Sequence, residues 1–106
     1  MDADARRRVL WFGLSIRDQA LYQRYREAMT PILARHGGRF GYDFTIREVL
    51  KSEVEAPIDR VFSMLFPSRA AADGFFADPA YRAVRAELFE PAVERVSALG
   101  AYDEDR

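Results

Sequence analysis

The chain has 106 residues, 49% apolar and 31% charged, with sixteen basic against seventeen acidic residues for a formal net charge of -1. That is the size of one domain able to bury a core, and the composition is far from that of a disordered chain. The near-neutral charge offers no basic field to gather phosphates, which argues against nucleic-acid binding, and the absence of cysteine excludes disulfides, thiolate nucleophiles and cysteine-ligated zinc.

Arg7 to Ile16 reads as the first strand, a dense run of branched and aromatic residues too short for a helix before Asp18. Leu10, Phe12, Leu14 and Ile16 share one fully apolar face, which should meet helices. Val9, Trp11, Gly13 and Ser15 share the other, which should line a partner or a cavity. Asp18 to His36 reads as a helix capped by Asp18, with Leu21, Tyr22, Tyr25, Ala28, Met29, Ile32 and Leu33 on one stripe and Arg24, Arg26, Glu27 and Arg35 off it. Gly37-Gly38 ends it, and Pro31 inside it is expected to bend or divide it.

A long strand follows, Arg39 to Lys51, in which Phe40, Tyr42, Phe44 and Ile46 alternate with Gly41, Asp43, Thr45 and Arg47. Ser52 to Pro57 is a polar turn, and Ile58 to Phe66 is the returning strand of a hairpin. Ser68 caps the next helix. Asp78-Pro79 restarts it, and Pro91 ends it. Val93 to Tyr102 reads as the last strand. Residues 1–6 and 103–106 are expected to be flexible ends of one domain spanning 1–106.

The order strand, helix, strand, strand, helix, strand predicts an α+β domain of the ferredoxin-like βαββαβ type: a four-stranded antiparallel sheet with both helices on one face. The other face carries Trp11, Val61 and Leu65, and this chain has nothing left to cover it. Two-fold pairing with a second copy is the economical solution.

The stretch Tyr25 to Phe40, YREAMTPILARHGGRF, resembles the P-I-L-x-x-H-G-G-x-F signature of the family called domain of unknown function 1330. The likeness continues in Ile46 to Leu50, in Arg60-Val61 followed by Phe66-Pro67-Ser68, and in Phe75 to Arg82, so it spans about Leu21 to Leu99. The resemblance implies a dimeric α+β barrel and no established reaction. The wider superfamily holds cofactor-free monooxygenases, muconolactone isomerases, haem enzymes and small-molecule sensors. Tyr42-Asp43-Phe44 departs from the family's more aliphatic strand.

Several chemistries are absent from the sequence. There is no phosphate-binding GxxxxGK[ST] loop and no GxGxxG fingerprint. A single histidine, His36, rules out two-histidine zinc motifs within one chain. No apolar stretch approaches a membrane span. The run Val9 to Ile16 lacks the cleavage site of a signal peptide, so a cytoplasmic location is expected, with no metal, no cofactor, and neither nucleic acid nor membrane as partner.

Two residues are candidates for proton chemistry. His36, at a helix C-terminus, reads either as a general acid or base or as a residue bonding a terminal carbonyl. Asp43, amid aromatic residues, reads as a general base or ligand anchor paired with Arg47, or as one half of a structural ion pair. Trp11, Tyr22, Tyr25, Tyr42 and Tyr81 either line an apolar pocket with polar handles, with Arg47 as a further binding residue, or simply fill the core. Arg60 reads as a surface or interface ion pair.

Two functions remain open at this level. One is a cofactor-free enzyme, an isomerase or monooxygenase, acting on an apolar or aromatic substrate. The other is a non-catalytic ligand-binding or accessory homodimer. A cavity of roughly 300 Å³ or more reaching His36 or Asp43 would favour ligand or catalytic work.

Overall fold

A computed structural model describes residues 6–105 of the chain. The elements run β1 (Arg6–Ile16), α1 (Gln19–Arg35), β2 (Arg39–Thr45), β3 (Arg60–Phe66), α2 (Arg69–Ala77), α3 (Pro79–Val84) and β4 (Val93–Asp105). The chain leaves α3 directly into one wide π turn, Arg85–Phe89. The four strands form a single antiparallel sheet in the order β2-β3-β1-β4. This is the expected ferredoxin-like plan, its second helix divided at Asp78-Pro79.

The helix ends follow from their sequences. Asp18 Oδ1 accepts the Leu21 N–H at 3.0 Å at the start of α1. At its end Gly37 takes φ 74°, and the N–H groups of Gly38 and Gly37 reach back to the carbonyls of Leu33 and Ala34. That double closure needs a left-handed residue, which glycine supplies without strain. Ser68 and Asp78 cap α2 and α3 through the N–H groups of Ala71 and Ala80, with Pro79 at a position where its missing N–H costs nothing.

The core lies between the helices and one sheet face. Leu14, Phe62, Met64 and Phe66 from the sheet meet Tyr22, Tyr25, Met29, Ile32 and Leu33 of α1, Phe75 of α2, Tyr81 of α3, and Leu88 and Phe89 of the π turn. Each fully buried side chain of this size contributes about 1.5–3 kcal/mol of transfer free energy. Leu10, Phe12 and Ile16 join the same face, as their alternation predicts.

The open face of the sheet carries a row of aromatic side chains. Trp11 stacks on Tyr42 at 5.7 Å between ring centroids, Tyr42 stacks on Phe44 at 5.8 Å, and Trp11 Nε1 donates to Tyr102 Oη at 3.2 Å. Tyr42 is 60% exposed and Leu99 49%, whereas Val61 and Leu65 are half-buried.

Four sequence expectations need correction. First, β2 ends at Thr45, not Lys51, and β3 begins at Arg60, not Ile58. Ile46 N–H still reaches the Asp59 carbonyl at 2.9 Å, after which residues 47–58 leave the sheet as an irregular loop. The polar sequence there offers no alternating apolar face to keep it paired.

Second, β4 continues to Asp105. Arg6, Arg7 and Arg8 lie opposite Asp105, Glu104 and Asp103. Ion pairs Arg7–Glu104 and Arg8–Asp103 hold the ladder where flexible ends were expected. Residues 1–5 and 106 lie outside the described residues.

Third, of the bend or division expected at Pro31, the division does not occur, since α1 runs unbroken from Gln19 to Arg35. Pro31 sits inside it on the exposed side, where water can serve the carbonyl that proline leaves without a donor.

Fourth, the alternation along β2 changes parity. Phe40 lies opposite Met64 and Asp43 opposite Phe62, so Gly41 and Tyr42 together oppose Ser63. This is a β-bulge. The Tyr42 N–H donates to Ser63 Oγ at 2.8 Å inside it. A Cβ on Gly41 would lie 2.7 Å from that oxygen, so a side chain there would have to push Ser63 Oγ from its bond with Tyr42.

Candidate functional site

The bulge decides which β2 side chains meet the helices. Phe40 and Asp43 turn toward α1, while Tyr42 and Phe44 join the open face. Asp43 there meets two arginines. Arg60 donates to it in a bidentate fork, Nε to Oδ1 at 2.8 Å and Nη2 to Oδ2 at 2.9 Å. Arg26 of α1 brings Nη2 to 3.0 Å from Oδ2. The hydrogen bonds from Arg60, with help from the Arg26 charge, hold the Asp43 carboxyl below the usual range.

Arg26 is the residue that the apolar stripe of α1 concealed. It follows Tyr22 by four positions and precedes Met29 by three, which places it at the margin of the buried face and not off it. Its guanidinium carbon sits 3.8 Å from the Phe40 ring centroid, with Phe62 and Tyr22 beside it. Its Nε donates to Tyr22 Oη at 2.8 Å. Its Nη2 is buried and, despite the ion-pair contact with Asp43, forms no aligned hydrogen bond.

Arg26 also walls a cavity of about 70 Å³ between sheet and helices. Phe12, Leu14, Met29, Phe62, Met64 and Phe89 supply most of its apolar lining, and Tyr22, Tyr25, Tyr81 and Arg85 its remaining polar groups. Tyr25 Oη and Tyr81 Oη share a buried hydrogen bond of 2.8 Å. Burial pushes the phenols of Tyr22, Tyr25 and Tyr81 upward, so all three stay protonated across the neutral range. Arg26 and Arg85 are the only charged side chains in this lining, and both are cationic.

The expected site residues therefore separate into three groups. Tyr22 and Tyr25 meet at the cavity, with Tyr81. Asp43 sits just behind it, joined through Arg26. Trp11 and Tyr42 lie across the sheet on the open face.

Arg47 is exposed in the loop after β2 and is not the partner of Asp43; Arg60 and Arg26 are. The strand that was to carry Arg47 alongside Asp43 ends before reaching it.

His36 lies outside this cavity. It caps α1, and its Nε2 lies 2.8 Å from Asp78 Oδ2. Its partner thus comes from the α2–α3 junction. The hydrogen bond to His36 holds the Asp78 carboxyl low, assisted by the Ala80 N–H. At 70 Å³ this cavity is below the expected size and touches neither His36 nor Asp43 directly, whereas a wide, open cleft of about 580 Å³ along α1, lined by Arg26, Glu27, Thr30, Asp43 and Arg60, does reach Asp43. No group of three or more acidic or histidine side chains able to hold a metal occurs among the described residues.

Comparison with known proteins agrees with this architecture. The model of a family described as a domain of unknown function, DUF1330, matches residues 10–100. A crystal structure of a protein of unknown function from Rhodopseudomonas palustris superposes with TM-score 0.78 at 20% identity, over 92% of this chain and 82% of that one. A dimeric ferredoxin-like protein of unknown function from Thermobifida fusca gives TM-score 0.59 at 12% identity, over 100% and 96%. Hydroxynitrile lyase from Passiflora edulis gives 0.62 at 16% identity, over 97% and 96%. At these identities the likeness concerns the fold. No functionally curated protein matches the chain.

Proposed function

The chain belongs to the DUF1330 family, and from that premise we propose that it is a small-molecule-binding α+β barrel protein which pairs with a second copy of itself and holds its ligand between sheet and helices. The observation that carries this reading is the cavity beneath the Tyr25–Tyr81 pair. An apolar lining with a few convergent polar groups is the usual composition of a ligand site. Pairing is supported by the aromatic row on the uncovered sheet face, where half-buried Trp11 adjoins exposed Tyr42 and Phe44, and by dimeric proteins of the same fold.

The arrangement favours binding over acid–base catalysis. Asp43 is held ionised between two arginines, which makes it a weak base. His36 is engaged by Asp78 away from the cavity. The groups that face the cavity are protonated phenols and guanidinium ions, suited to donating hydrogen bonds.

The methyl groups of Met29 and Met64 report on the cavity, since both line it. Titrating the protein with a panel of small apolar compounds should shift these two resonances. A panel that leaves both unmoved overturns the reading.

A further inference from the structure

The cavity holds more hydrogen-bond donors than acceptors, and a proton count shows what is missing. Tyr25 and Tyr81 carry two phenolic hydrogens but share one hydrogen bond, so one hydrogen is left over. Tyr22 Oη receives Arg26 Nε and keeps its own hydrogen. Arg26 Nη2 is buried and, although 3.0 Å from Asp43 Oδ2, makes no aligned hydrogen bond to it, so it keeps donor capacity toward the cavity. These groups line one small space whose lining contains two arginines and neither carboxylate nor amide. A buried donor without a partner is costly, more so when charged, so a ligand that supplies an acceptor recovers that cost.

From this imbalance we propose that the cavity selects a short apolar molecule ending in an anionic oxygen group, most simply a small aliphatic carboxylate. The carboxylate accepts from Arg26 Nη2 and from the spare phenolic hydrogens. The hydrocarbon body lies against Phe12, Leu14, Met29 and Met64. A cavity of 70 Å³ accommodates about five or six non-hydrogen atoms, if a water needs about 10–15 Å³. That is the size of propionate or butyrate. This ligand class rests on the cavity reading above.

Butyrate, butyramide and n-butylamine share one hydrocarbon body and differ at its end, so they test the two ideas separately. Titrations should be followed through the Met29 and Met64 methyl resonances. Butyrate should bind at least tenfold more tightly than butyramide, and n-butylamine should be the weakest of the three. Arg26→Met should remove most of the preference for butyrate over butyramide. Tyr81→Phe, which deletes one oxygen and keeps the ring, should cut butyrate binding several-fold, and it serves if Arg26→Met does not fold. Butyramide binding as well as butyrate overturns the anion proposal and leaves the cavity reading standing. Failure of all three to move either methionine overturns both.

Discussion

Phe40 and Asp43 lie on the same face of β2 although they are three positions apart, because they pair with Met64 and Phe62, which share a face of β3. In a regular strand an odd separation puts two side chains on opposite faces. The bulge at Gly41-Tyr42 reverses that parity and turns Asp43 toward Arg26 and Arg60, where a regular strand would have sent it to the open face.

Gly41→Val should therefore be costly out of proportion to its exposed position. Its Cβ would meet Ser63 Oγ at 2.7 Å and Leu65 at 3.1 Å. A loss of about 1–3 kcal/mol is expected from overpacking, measured by urea unfolding. A stability equal to that of the parent would show that the bulge can rearrange freely.

Asp43→Asn should alter the acid limb of stability. The native carboxyl titrates below its unfolded value, so its contribution is present above about pH 4 and is lost as pH falls through the native value. The parent should weaken on acidification in this range, and the variant should show a flatter profile. At neutral pH the variant should be less stable by about 1 kcal/mol, a modest figure because solvent partly reaches the pair. Unfolding midpoints between pH 2.5 and 7 measure both effects.

His36→Gln should leave ligand binding unchanged, since His36 faces Asp78 and lies outside the Tyr25–Tyr81 cavity. A stability loss of up to about 1 kcal/mol is expected from the lost contact. Loss of binding in a folded His36→Gln protein would restore the histidine to the functional site.

Trp11→Glu should separate the proposed pair of subunits. The indole lies in the middle strand row of the open face, stacked on Tyr42 and bonded to Tyr102. A charge buried there against a partner without a counter-ion is strongly disfavoured. Sedimentation at micromolar concentration should give a dimer for the parent and a monomer for the variant. A monomeric parent would refute the pairing.

Much of the fold was legible because local signals agreed. Leu10, Phe12 and Leu14 marked the buried face of β1, and Asp18, Gly37, Ser68 and Asp78 marked the helix ends. The site was legible only in part. Tyr22 and Tyr25 followed from helical spacing, but Asp43 found its partners through a bulge, which no alternation pattern announces. Arg60 is seventeen positions from Asp43 in sequence, and only the β2–β3 register brings them together. Arg26 was assigned to the solvated side because charged residues mostly stay there. Its stem instead lies among rings, a placement that guanidinium tolerates better than ammonium.

Asp78 serves two elements with its two oxygens: Oδ1 takes the Ala80 N–H that starts α3, and Oδ2 takes His36 at the end of α1. The last turn of α1 and the first turn of α3 are thus fastened by one side chain, although His36 and Asp78 are 42 positions apart. Neither turn can fray without loosening the other. Their amide protons should exchange with solvent as one cooperative unit, more slowly than the ends of short helices ordinarily do.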